Sequence, residues 1–139
     1  MNILFLDIDG VLNNEHTKEL SVTGFRGLDL RLVKLFKDWF VQKEGLNIVL
    51  SSTWRTDPIM AAEVAAAGIP FVDHTPVFPR RKRGDEIANW TAQYQPERYA
   101  ILDDTAEFAA HQLPFFVQTS PVHGLRLKDL KRLDKILGG

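Results

Sequence analysis

A chain of 139 residues, 45% hydrophobic and 25% charged, can close one core and is too apolar to be disordered. Its 17 basic and 18 acidic side chains leave a net charge of −1, so nothing global draws it to nucleic acid, although a local patch could. No cysteine is present, which excludes disulfides, thiolate catalysis and zinc–thiolate sites, and no apolar run reaches membrane-spanning length.

The first apolar run, Ile3 to Leu6, is cut by Asp7 and lacks the basic lead-in of a signal peptide. Residues 13–27, with Asn13, Asn14 and Glu15, carry no strong hairpin pattern. Leu28, Leu32, Leu35, Phe36, Trp39 and Phe40 then make a helical stripe that Gly45 follows. The second run is Asn47 to Leu50. Asp57-Pro58 starts a second helix and Gly68 closes it. A third run, Ile69 to Val72, precedes the basic stretch Arg80-Arg81-Lys82-Arg83. Ile87, Trp90 and Tyr94 recur at helical spacing. The last two runs are Tyr99 to Leu102 and Phe115 to Val117, and a final amphipathic helix carries Leu127, Leu130, Leu133 and Leu137.

Five apolar runs alternating with helical stretches predict an α/β fold. Consecutive apolar residues mark strands covered on both faces, as in a mainly parallel, five-stranded, Rossmann-like sheet inside a three-layer α/β/α sandwich. A single domain over residues 1–139 is expected, in a cytoplasmic protein with no membrane partner. In such sheets ligands gather at the carboxyl ends of the strands.

The chemistry-bearing residues stand at those ends. Asp7 and Asp9, two apart, project to the same side after the first run, and Gly10 lets the chain turn there. Asp103 and Asp104 follow the fourth run. Taken singly, each pair could be a solvated turn or a helix cap; together they make four hard oxygen donors that suit Mg2+. Ser51, Ser52 and Thr53 after the second run offer hydroxyls and backbone N–H groups to a phosphate, although taken alone they read more readily as a polar loop with a helix cap. Arg55 either clamps that phosphate or lies on the surface. Of the four consecutive cations, Lys82 is expected to point into the site. Arg80, Arg81 and Arg83 are left to meet the charge of a larger substrate. The four histidines, His16, His74, His111 and His123, lack metal-ligand spacing.

These residues together resemble the haloacid dehalogenase (HAD) superfamily of phosphohydrolases. Asp7-Ile8-Asp9-Gly10-Val11-Leu12 resembles its first motif, Ser51 or Ser52 its second, a cation near Lys82 its third, and Asp103-Asp104 its fourth. The closer likeness is to small members without a large cap domain, similar to the HAD domain of Swiss Army Knife RNA-repair proteins. It is carried by Ser51-Ser52-Thr53-Trp54-Arg55, by Arg83-Gly84-Asp85-Glu86-Ile87 with Trp90, and by Phe116-Val117-Gln118-Thr119 followed by Gly124-Leu125.

The resemblance implies a phosphatase that works through an aspartyl-phosphate. Asp7 would be the nucleophile and Asp9 the general acid and base. Magnesium would be held by Asp7, the backbone carbonyl of Asp9 and Asp104, with Asp103 as an additional acid. Ser51, with Ser52 as the alternate, would bind a phosphate oxygen. The implied partner is a phosphorylated substrate, either a small molecule or a nucleic-acid end. A phosphotransferase would need a cap to exclude water, for which the chain has little room. A non-catalytic phosphate- or nucleic-acid-binding module would have no use for Asp9.

Overall fold

Five short strands form the centre of the molecule: β1 (Asn2–Leu6), β2 (Leu46–Leu50), β3 (Phe71–His74), β4 (Arg98–Asp103) and β5 (Phe116–Gln118). They make one parallel sheet in the order β3-β2-β1-β4-β5. The computed structural model describes residues 1–138. The central strand sets the level of the site. Leu6 pairs with Leu50 on one side and Leu102 on the other, so β1, β2 and β4 finish side by side.

Four helices cover the sheet: α1 (Leu30–Phe40), α2 (Pro58–Ala66), α3 (Arg83–Tyr94) and α4 (Leu127–Leu137). Side-chain alternation along β1 feeds two cores. Leu4 and Leu6 pack with Val33 and Phe36 of α1, Val64 of α2, and Leu130 and Leu133 of α4. Ile3 and Phe5 pack with Ile87 and Trp90 of α3. Each such side chain taken fully from water contributes about 1.5–3 kcal/mol. The expected three-layer α/β/α sandwich is the architecture observed.

Helix starts follow their caps. The Asp29 carboxylate accepts from Arg31 N at 3.1 Å ahead of α1, and Asp57 from Ile59 N at 2.9 Å ahead of α2. No large cap domain interrupts the described chain. Between β1 and α1 lies a loop with one antiparallel bridge, Leu20↔Arg26, a flap that the sequence pattern did not predict. Between β2 and β3 lie only a 3-10 turn, Thr53–Thr56, and α2. Among the described residues, no helix is long and apolar enough to cross a membrane.

One strand departs from expectation. The run Ile69 to Val72 enters the sheet two residues late, at Phe71. Ile69 is buried in the core before the strand begins, and Pro70 has no N–H to give a ladder. Register then shifts, with Ile48 opposite Phe71 but Val49 opposite Asp73, so Val72 bulges outward. As a sheet edge, β3 alternates half-buried and exposed positions rather than being covered on both faces.

Candidate active site

The level strand ends bring three loops together. Asp7 continues the ladder, its N–H donating to Leu102 O at 3.0 Å, and Ser51 N does the same to Leu6 O at 3.1 Å. The chain then turns tightly: the N–H groups of Val11 and Leu12 both donate to Ile8 O, at 3.0 and 2.8 Å. Gly10 makes this possible at φ +77°, and a Cβ on it would lie 2.6 Å from Asp104 Cγ. Thr119, after β5, locks the turn by donating its hydroxyl to Gly10 O at 2.6 Å and its N–H to Asp103 O at 2.9 Å.

Three carboxylates meet there. Asp7, Asp103 and Asp104 each offer an oxygen within 4.8 Å of the others. Asp103 is fully engaged: Oδ1 accepts from the N–H and the hydroxyl of Thr105, both at 2.9 Å, and Oδ2 accepts from Arg83 Nη1 at 2.6 Å. The same Nη1 lies 3.2 Å from Asp7 Oδ1. Burial pushes the Asp7 carboxyl well above the usual range, the Asp103 charge pushes it further, and Arg83 pulls it back. Asp104 is also raised, by burial first and then by Asp103, while its hydrogen bond with Asp7 works the other way. Burial would lower the Arg83 guanidinium, but the charges of Asp7 and Asp103 outweigh it and hold it protonated. Three acids against one guanidinium leave a deficit of positive charge. With hard oxygens still free on Asp7 and Asp104, the set fits a hard divalent cation such as Mg2+.

Asp9 is exposed and lies outside this cluster of three. Its Oδ1 accepts from Asn13 Nδ2 at 2.9 Å and from Trp54 Nε1 at 3.2 Å. Fully buried Asn13 also takes the Gly10 N–H on its Oδ1 at 2.8 Å. Asn13 and Trp54 therefore orient Asp9. Neither was singled out for this from the sequence, although Asn13 stands four residues after Asp9, within reach of the same turn.

The serine pair resolves by its hydrogen bonds. Ser52 Oγ caps the 3-10 turn, accepting from Trp54 N at 3.1 Å. Ser51 Oγ is buried without any partner. Of the two serines, only Ser51 keeps a hydroxyl without a protein partner and free to donate.

Two expectations are corrected. Arg55 neither clamps a phosphate nor lies on the surface. All five of its N–H groups are used: on the carbonyls of Ser51, Ser52, Thr75 and Pro76, and on Glu86 Oε1 at 3.0 Å. It braces the loops around the site. Lys82 is not the inward cation. It is exposed in the residue before α3, in extended conformation, while helix geometry begins at Arg83 and turns that side chain onto Asp7 and Asp103. Arg83 is thereby removed from the set meeting bulk solvent, which leaves Arg80 and Arg81 exposed. Gly84 lets the start of α3 come this close: a Cβ there would sit 2.8 Å from Glu107 O.

A sequence model of the HAD domain in Swiss Army Knife RNA repair proteins matches residues 3–130. The chain belongs to this family. No curated protein and no solved structure matches it. HAD domains are generally hydrolases of the phosphatase kind and typically use Mg2+, in keeping with the donor set formed by Asp7, Asp103 and Asp104. The matched span runs from β1 into α4 and includes every residue of the site described above.

Proposed function

We propose that this HAD domain is a magnesium-dependent phosphomonoester hydrolase that passes through an aspartyl-phosphate on Asp7. The observation that carries the reading is the meeting of buried Asp7 with half-buried Asp104 and Arg83 at neighbouring strand ends, with the orphaned Ser51 hydroxyl at the end of the adjacent strand β2. Mg2+ would be held by Asp7, Asp104 and the backbone carbonyl of Asp9. When bound it offsets the charge between phosphate and carboxylate and orients the ester.

The chain's own groups supply the rest. Arg83 keeps Asp7 in place and draws its carboxyl toward the ionised, nucleophilic form. Asp7 attacks phosphorus as the bond to the leaving oxygen breaks, and Asp9 gives that oxygen its proton. A water then attacks phosphorus and yields a proton to Asp9, releasing inorganic phosphate and restoring Asp7. Asn13 and Trp54 hold Asp9 Oδ1, which leaves Oδ2 to carry the proton. Ser51 donates to a phosphate oxygen. The substrate is a phosphorylated small molecule or a nucleic-acid end.

The test is hydrolysis of an aryl phosphate by the purified chain with and without Mg2+. Activity should require the metal and disappear in Asp7→Asn. A folded Asp7→Asn variant that turns over at the parental rate would remove Asp7 from the chemistry.

A further inference from the structure

The ion pair of Arg55 with Glu86 is buried beside the site, its two side chains only 4% and 9% exposed. Nε of Arg55 donates to Thr75 O at 3.0 Å, Nη1 to Ser51 O at 3.2 Å and Ser52 O at 2.7 Å, and Nη2 to Pro76 O at 3.1 Å and Glu86 Oε1 at 3.0 Å. The second Glu86 oxygen, Oε2, accepts from Phe78 N at 2.9 Å. One pair thus joins the end of β2, the loop after β3 and the first turn of α3. A pair this deep is a poor stabiliser. Desolvating both charges takes back much of their attraction, and apolar side chains of the same volume commonly serve as well. What apolar side chains could not do is turn backbone carbonyls inward and hold them there.

The consequence for Ser51 is specific. Its N–H donates to Leu6 O at 3.1 Å and its carbonyl accepts from Arg55, so its backbone is held from both sides. Only rotation about χ1 is left to the side chain, whose Oγ is buried without a partner. The peptide that follows is trans, so its N–H points opposite to its carbonyl. With the Ser51 carbonyl on Arg55, the Ser52 N–H faces away from Arg55, and among the described residues it donates to no backbone acceptor. Two neighbouring donors are therefore aimed by one guanidinium. The charges of the site reach that guanidinium too: burial lowers it from its usual value, Glu86 counters this, Arg83 adds to it and Asp7 counters it. Arg83 itself is held directly by Asp7 and Asp103 and takes no bond from Arg55 or Glu86.

We propose that Arg55 and Glu86 are positioning residues for the phosphate: Glu86 fixes the Arg55 guanidinium, and Arg55 turns the Ser51–Ser52 peptide so that the Ser51 hydroxyl and the Ser52 N–H meet the phosphate oxygens together. The inference rests on the phosphatase reading, because it takes Ser51 as a phosphate donor. It separates two halves of the site. The Asp7, Asp103 and Asp104 cluster does not depend on Arg55, whereas the phosphate-binding donors of β2 do.

The experiment measures three things on the parent, Arg55→Lys, Glu86→Gln and Arg55→Ala, each well below its own melting midpoint. They are binding of inorganic phosphate in Mg2+ by calorimetry, the thermal shift given by Mg2+ alone, and steady-state hydrolysis of an aryl phosphate. Arg55→Lys keeps the charge but loses the fork, and Glu86→Gln loses the charge that anchors it. Both should weaken phosphate binding by about tenfold or more, the order of one hydrogen bond to a charged group. KM should rise in step, with kcat far less affected, and the Mg2+ shift should stay parental. Methylguanidinium, added to Arg55→Ala at concentrations far below denaturing ones, should restore phosphate binding where methylammonium does not. Arg55→Lys and Glu86→Gln carry the test if Arg55→Ala does not fold. A merely structural pair would lower the melting midpoint and leave phosphate affinity unchanged in the folded variants, which would overturn the proposal. Loss of the Mg2+ shift in parallel with phosphate affinity would overturn it as well. If phosphate binding changes as expected but the parent hydrolyses no ester, the positioning role stands and the phosphatase reading falls. If the parent binds no phosphate, both fall.

Discussion

Replacing Arg83 by Gln removes the one guanidinium that Asp7 and Asp103 share. Its Nη1 is 2.6 Å from Asp103 and 3.2 Å from Asp7, and its side chain is 15% exposed, so solvent screens little. At an effective dielectric of about 20, each pair at this range is worth roughly 5 kcal/mol of Coulomb energy. Desolvating the three charges takes back several kcal/mol, and removing one partner of a buried pair ordinarily costs about 3–5 kcal/mol. Partial protonation of the stranded carboxyls puts the expected loss near the low end, about 3 kcal/mol. At roughly 0.3 kcal/mol per kelvin of unfolding entropy for a chain this long, the midpoint should fall by about 10 °C. Mg2+ should then stabilise Arg83→Gln more than the parent, because the cation replaces charge that the variant lacks. Thermal unfolding by circular dichroism, with and without Mg2+, reads both effects. Lys82→Gln is the control and should melt like the parent in either buffer. Equal melting of the two variants, or no extra gain from Mg2+ in Arg83→Gln, would refute the charge accounting.

Other outcomes follow from the same geometry. Ser51→Ala should stabilise the fold by about 1 kcal/mol, because it deletes a buried hydroxyl without a partner, while turnover falls; Ser52→Ala should instead lose about 1 kcal/mol with its cap. Denaturant titration and steady-state kinetics separate the two. Gly10→Ala should cost about 1–2 kcal/mol from its left-handed backbone alone and, by displacing Asp104, abolish the thermal shift given by Mg2+. Asp9→Asn should keep that Mg2+ shift, because only its backbone carbonyl is proposed as a ligand, yet lose turnover by about 100-fold or more. For Asp29, burial alone would raise the carboxyl, but hydrogen bonds from Thr17 and Arg31 outweigh it and hold it below the usual range. Its ionised form therefore contributes stability above the ordinary carboxyl range, about pH 4, and that contribution fades as pH falls through the lower folded value. Acid titration of Asp29→Asn should show a shallower loss of stability there than the parent.

The sheet was legible because its three central strands are covered on both faces and so read as unbroken apolar runs. The rule weakens at the edge. Around β3, Ile69 and Pro70 look like strand in sequence but are core filler and a missing donor, and the strand itself runs on through Asp73 and His74. In the site, the carboxylates stand out because acids directly after apolar runs demand an explanation. The cations do not, because four in a row carry no sign of direction. Which one turns inward depends on where α3 begins, and that is set by tertiary contacts such as Gly84 N to Glu107 O at 3.1 Å. Arg55 was ambiguous for a similar reason. Its partners include carbonyls of Thr75 and Pro76, about 20 residues away in sequence, which no local pattern could reveal. Residues 13–27 show no hairpin pattern because the flap's bridge is one residue pair long and its rigidity comes from Glu63 on another element.

The central claim is that Asp7 carries the phosphoryl group, and acid-quenched mass spectrometry of the working protein tests it most directly. With Mg2+ and an aryl phosphate present, the account predicts one added phosphoryl group on the peptide containing Asp7, labile to base and absent in Asp7→Asn. A phosphoryl group mapped to any other residue, or full turnover in Asp7→Asn with no label on the chain, would contradict it.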